Sequence, residues 1–277
     1  MCIIWGSWES WESWERWERG KAVCLASLAR ATRGLRRPSG EFRSMVSRVE
    51  EMLTSVEQDL YKVLLLYFFG KSWKTFCSTH FLCKQRFAED AGILTRSLFD
   101  LVVTLLYIGK APAERAVLYY EYGIVLKEQL HATLSREPED PWRQRILASK
   151  SPEVRMKDRE EYERVRKNYP KQYRWSGLTT KAMAGEVGLG WHYDFVYYQL
   201  SEFAHTGPNG VSTYMDFDKG NGLSFKECTT EDMDRIWTTA SIYFLIVLDR
   251  IDDVFKLGIG EEIKAMDRDL KTRKKAK

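Results

Sequence analysis

The apolar positions of this chain fall at helical spacing almost from end to end. Val46, Val49, Met52, Leu53, Val56, Leu60, Val63, Leu64 and Tyr67 predict a helix over 42–69, with Gly70 as its stop. A second helix is predicted for Ser72 to Gln85 and a third for Phe87 to Ile108, closed by Gly109 and Pro112. A fourth covers 113–135, with Ala116, Tyr119, Tyr120, Gly123, Leu126 and Leu130 on one side. The stretch 136–181 is a polar excursion with four prolines and one exposed helix near 152–168. A short helix near 181–187 is closed by Gly188-Leu189-Gly190, and Trp191 to His205 forms the next. Residues 206–228 are a Gly/Pro-rich loop with room for a short hairpin. The last long helix runs from about 230 to 257, with Thr229 as its cap and Gly258 after its end. No segment shows strong strand alternation. The expected class is all-α, a multi-helix bundle.

Two of these helices carry polar groups where apolar ones are expected. From Leu98 to Ile108 the third helix is apolar all round, interrupted by Asp100 and Thr104, so it belongs at the centre of its domain. Arg96 and Asp100 are one turn apart on one side of it. A buried charge without partners is costly, so both need them. About a hundred residues on, Asp194, Tyr198, Ser201 and His205 fall in one stripe at roughly 100° per residue. His205 sits in the last turn, where the helix dipole favours its charged form. If the stripes meet, they form a cluster of guanidinium, carboxylate, hydroxyls and imidazole. Two readings of it stay open. In one, Arg96 holds a phosphate, His205 shuttles a proton, and Tyr198 or Ser201 orients the substrate for metal-free acid–base cleavage of a phosphodiester. In the other, Arg96, Asp100, Ser201 and His205 are an internal network that only specifies the fold.

Charge changes the picture less than its total suggests. The net charge is +4, but residues 1–44 and 261–277 each contribute +3, leaving the body at −2. Only 136–181 stands out, with thirteen Lys/Arg against eight Asp/Glu and with Tyr162, Tyr169, Tyr173 and Trp175 among them. Cations among aromatics suit a nucleic-acid backbone and its bases, which makes Trp175, Lys167, Lys171 and Arg174 candidate binding residues beside Tyr198. The alternative is a solvated, salt-bridged helix.

Residues 7–18 read SWESWESWERWE, and five of the ten tryptophans lie in the first seventeen positions. A three-residue period fits neither a strand nor a helical face. Residues 1–44 are expected to be an artefactual upstream start, with Met45 as initiator, or a disordered extension. The helical domain is expected over 45–258, with a basic tail at 259–277. The Arg-rich look of Gly20 to Ser39 resembles a transit peptide, but the acidic repeat before it argues against one. Five scattered cysteines fit a reducing compartment, hence the cytoplasm, and no disulfide framework. The longest apolar run, Ile236 to Leu248, is short of the roughly 20 residues of a membrane span. Cys77-x-x-His80-x-x-Cys83 has ligand types, but residues 77 and 83 point apart on a helix and no fourth ligand is evident. There is no phosphate-binding loop, dinucleotide fingerprint, zinc-protease motif or nucleophile elbow, so neither metal nor cofactor is expected.

Several motifs in one order resemble a known family. Phe87 through Asp100 (FAEDAGILTRSLFD) with Tyr107-Ile108, then Trp175-Ser176-Gly177, then Ala184 to Leu189, then Tyr197 to His205 (YYQLSEFAH) are similar to the bacterial domain-of-unknown-function family numbered 5677. The similarity covers roughly 45–255. It implies an all-helical domain with Arg, acid, Ser and His as signature polar positions, and Glu is usual where Asp100 stands here. A looser similarity links the chain to HEPN-like helical bundles, many of them RNases of prokaryotic defence, phage-resistance and toxin systems. Those usually carry an Arg followed a few residues later by a His on one helix, a motif absent around His205. With the polar cluster, the looser similarity makes a metal-independent RNase or nucleic-acid-binding protein one expectation, with RNA or another protein as partner and a homodimer as a further expected assembly. The competing expectation is a non-catalytic interaction or structural domain.

Overall fold

The computed structural model describes residues 40–52, 59–136, 140–169, 174–205, 208, 211–218, 222–226, 229–230 and 232–273. Among them are eleven α-helices and one two-stranded hairpin, so the class is all-α as the periodicity predicts. In chain order the helices are α1 Gly40–Met52, α2 Leu60–Lys84, α3 Ala88–Gly109, α4 Pro112–Leu134, α5 Pro141–Ala148, α6 Pro152–Val165 and α7 Thr180–Glu186. A π-helical segment, His192–Tyr197, then leads into α8 Tyr198–Ala204. After α9 Val211–Tyr214 come strands β1 Met215–Asp218 and β2 Gly222–Phe225, then α10 Met233–Phe255 and α11 Gly260–Arg273.

Helices α2, α3 and α10 pack on one another at the centre. Leu98, Phe99, Val102, Leu105 and Ile108 of α3 meet Phe69, Phe76, Phe244, Val247 and Ile251 in one buried cluster. By length and composition α3 is apolar enough to cross a membrane, but in this fold it is the central core helix. Arg250 fixes its far end, donating to the Tyr61 hydroxyl (2.9 Å) and to the Gly109 carbonyl (3.2 Å).

Several boundaries differ from the expected ones. The Gly70 stop is absent: α2 begins at Asp59, whose carboxylate accepts from the Tyr61 amide (2.9 Å), and runs through Gly70 to Lys84. A glycine inside a helix costs about 1 kcal/mol. Buried Phe68 and Phe69 before it, and Ser72 and Trp73 after it, outweigh that. Thr229 does not cap α10. The cap position is Asp232, in a left-handed conformation, while Thr229 hydrogen-bonds the buried carboxylate of Glu89 and donates its amide to the Arg86 carbonyl (2.9 Å).

The ends of the fold lie further out than 45 and 258. Phe42 is buried, with its ring centroid 4.8 Å from Phe76 and 5.8 Å from Phe244, so the core includes a residue before position 45. Residues 260–273, within the expected basic tail, form α11. Ile259, Ile263 and Leu270 pack into the main cluster, and Glu262 pairs with Arg48 of α1. The expectations for residues 1–39 lie outside the described residues.

The polar excursion is two helices rather than one, each opened by a proline after a capping side chain, Asp140 and Ser151. Three of its aromatics face inward. Tyr162 and Tyr169 pack with Tyr122 and Val125 of α4, and the Tyr169 hydroxyl donates to the Leu118 carbonyl (2.7 Å). Trp175 stands edge-on to Tyr107 (5.7 Å) and Tyr119 (5.2 Å).

Candidate functional site

The site forms where α3 meets the helix that carries the π segment. Gly92 sets the approach. A Cβ built on it would sit 2.8 Å from the Phe203 ring and 3.3 Å from a Leu200 methyl, so only glycine lets the helices close to this distance. Arg96 lies one turn further along α3 and reaches across the gap. Its Nε donates to Ser201 Oγ (3.0 Å) and its Nη2 to the Tyr197 hydroxyl (2.7 Å). The guanidinium carbon lies 4.7 Å from the Tyr197 ring centroid, adding a cation–π contact. Ser201 accepts from Arg96 and donates to the Tyr197 carbonyl (2.7 Å), so its one proton is committed.

Asp100 joins through Tyr197, whose hydroxyl hydrogen-bonds its carboxylate. Burial pushes the Asp100 carboxyl above its ordinary value; Arg96, the Tyr197 bond and Lys71 pull the other way without cancelling it. Burial also raises the Tyr197 hydroxyl, and the Asp100 charge adds to the rise. Arg96 and Asp100 thus communicate through a tyrosine. Behind Tyr197, Tyr193 stacks at 4.8 Å and Phe99 packs at 5.2 Å. Deeper still, His192 Nδ1 lies 3.3 Å from the Tyr243 hydroxyl, and burial lowers the imidazole.

Of the four residues expected to act together, three meet: Arg96, Asp100 and Ser201. His205 does not. It follows the last turn of α8, exposed, donating its amide to the Ser201 carbonyl (3.0 Å). Among the described residues its imidazole makes no hydrogen bond or ion pair with Arg96, Ser201 or Tyr197. Tyr198 also leaves the cluster. It is exposed, and the aromatic hydroxyl on Arg96 belongs to Tyr197. The π segment takes more than 3.6 residues per turn, so phases counted at 100° drift across it. Tyr197 had a sequence signal, the four-residue steps Tyr193, Tyr197, Ser201, which place three polar rings and hydroxyls on one helical face. Asp194 faces solvent and pairs with Lys181 (2.7 Å).

The expected binding residues scatter. Trp175 packs at Tyr107, eleven residues along α3 from Arg96 and hence about 16 Å away. Lys167 is exposed on a short 3₁₀ turn, Arg174 is half-buried, and Lys171 lies outside the described residues. Much of the excursion's charge is paired. Arg159 meets Glu128 and Glu163, Arg164 meets Glu121, and Lys150 meets Asp158. Cys77 and Cys83 are buried free thiols, pushed up to about 12 and about 11 by desolvation, and among the described residues no three His, Cys, Asp or Glu converge on a metal position.

Outside the clamp lies a surface groove of about 470 Å³, lined by Phe195, Tyr198, Glu202, Phe203 and Arg235. Trp191 stacks on Phe195 (5.3 Å), continuing the aromatic surface along the helix.

A family model described as a family of unknown function, DUF5677, matches residues 62–223, and it spans α2 to the hairpin with the whole Arg96 cluster. No curated protein and no solved structure matches the chain. The chain belongs to the DUF5677 family.

Proposed function

We propose that this member of the family of unknown function is a non-catalytic interaction module, in which the Arg96 cluster clamps two helices and the outer face of the clamped helix does the binding. One observation carries the reading: the guanidinium directs Nε and Nη2 into the fold, onto Ser201 and Tyr197, and no imidazole stands with it. Acid–base cleavage of a phosphodiester needs a proton-transfer group within hydrogen-bonding reach of the anchored phosphate. Asp100 is bound to Tyr197, and His205 stands in solvent beyond the helix end.

The test is incubation of the purified full chain with single-stranded RNA in chelator, beside Arg96→Ala and His205→Ala. The expected result is no cleavage by any of the three, a lower melting temperature for Arg96→Ala and an unchanged one for His205→Ala. Cleavage by the wild-type chain that disappears in His205→Ala, at unchanged melting temperature, overturns the proposal in favour of a metal-independent RNase.

A second reading takes RNA as the partner without cleaving it. Trp142 is exposed on α5, and Arg145, Arg155, Lys157 and Lys167 have no ion-pair partner among the described residues. An exposed ring in a segment that also carries unpaired cations suits stacking of a single strand. Fluorescence anisotropy with labelled RNA tests it. Binding that weakens steeply with salt and is lost in Trp142→Ala supports it, and no binding at low salt rejects it.

A further inference from the structure

The hairpin carries an apolar face that no described residue covers. Its register pairs Met215 with Phe225 and Phe217 with Leu223, so Met215, Leu223 and Phe225 share one face while Asp216 and Ser224 share the other. That apolar face is open: Leu223 is 61% exposed and Phe225 81%. Among the described residues both strand edges are also unpaired. A two-stranded hairpin alone is at best marginally stable in water and needs an apolar face to pack on. Thr213, two residues before β1, lines the groove beside Phe195 and Tyr198, so an uncovered apolar ridge and an apolar groove adjoin on one face.

We propose that this face is a homodimer interface, in which the hairpin of one copy seats Leu223 and Phe225 in the groove of the other. The inference rests on reading the chain as an interaction module, and it names the partner as a second copy. Two features favour that occupant. The face carries both halves of the contact, ridge and groove, which a two-fold interface requires. The area also suffices. Covering Trp191 (65% exposed), Phe195 (49%), Tyr198 (61%), Leu223 and Phe225 removes roughly 600 Å² per copy, or about 1,200 Å² for the pair, at the lower bound of a specific interface. Because buried area does not fix affinity, the equilibrium is sought from about nanomolar to about 100 μM.

Sedimentation of the full chain over a concentration series spanning that range tests the proposal. The expected result is a monomer–dimer equilibrium that Leu223→Asp with Phe225→Asp weakens by at least about tenfold, as Phe195→Asp does, with circular-dichroism melting unchanged in both. Mixing the hairpin variant with the groove variant leaves one intact ridge-in-groove contact per pair, so the mixture dimerises better than either variant alone. A chain that stays monomeric at every concentration overturns the proposal, as does a dimer that the hairpin variant leaves intact or a mixture with no rescue. RNA cleavage decides the non-catalytic reading and sedimentation decides this one, so the two can fail independently.

Discussion

Arg96→Ala is the sharpest probe of the clamp. The substitution removes two charge-assisted hydrogen bonds, to Ser201 Oγ and the Tyr197 hydroxyl, and the contact with the Tyr197 ring. Neither acceptor is left bare, because Ser201 still bonds the Tyr197 carbonyl and Tyr197 still bonds Asp100. For a half-buried guanidinium each bond is worth about 1–1.5 kcal/mol, the lower part of the range for charged partners. Asp100 also loses its principal cation, but it limits the penalty by taking up a proton at a higher pH than before. The expected cost is about 3 kcal/mol at neutral pH, or roughly 6–12 °C of melting temperature for a domain of this size. Arg96→Lys keeps the charge without the planar fork, so it recovers about half. Urea unfolding followed by circular dichroism gives the values, and an Asp100→Asn background measures the coupling. There Arg96→Ala costs about 1 kcal/mol less, since no carboxylate is left to neutralise. A single-variant cost within about 0.5 kcal/mol of zero, or an identical cost in both backgrounds, refutes the clamp.

Phe42→Ala removes a ring enclosed by Phe76 and Phe244 and is expected to cost about 3–5 kcal/mol in urea unfolding; a chain begun at Met45 loses a similar amount, and equal stability of the two lengths rejects Phe42 as a core residue. Asp100 titrates above its ordinary value in the fold, so within that window the folded state holds a proton the unfolded chain has released. Its contribution to stability is therefore greatest at acid pH and falls as pH rises through the window. Asp100→Asn removes this dependence, so the stability of the variant relative to wild type should climb from acid to neutral pH, and parallel stability–pH curves contradict the assignment. Cys77 and Cys83, with thiols near 12 and 11, should resist a thiol reagent at pH 8 in native protein and react at once in denaturant.

The helical class and the sidedness of α3 were legible because both follow from spacing alone. Leu98 to Ile108 is apolar all round, and only a central helix tolerates that; Arg96 and Asp100 on its polar interruption then had to find partners. Tyr162, Tyr169 and Trp175 were not legible in the same way. An aromatic among cations reads alike whether its ring faces a neighbouring helix or solvent, and only the packing of α6 on α4 decides. α11 was hidden by charge: Ile263, Met266 and Leu270 hold helical spacing, but the charged residues between and after them gave the segment the composition of a tail. Gly70 misled because propensity is a weak local term beside large apolar side chains on both flanks.

The π segment explains why the clamp used Tyr197 rather than Tyr198, and it also joins the two faces of this helix. Within it the backbone is wider than an α-helix, a form that survives only where side chains hold it. Here the holding side chains point inward: Tyr197 and Ser201 are bound to Arg96, Tyr193 is stacked on Tyr197, and His192 lies against Tyr243. The residues left over, Trp191, Phe195 and Tyr198, are turned outward; Phe195 and Tyr198 line the groove and Trp191 stacks on Phe195. A regular α-helix through the same sequence would rotate residues upstream of the segment relative to Ser201, breaking up either the inner set or the outer one. The buried network and the outer aromatic face are therefore two consequences of one backbone feature.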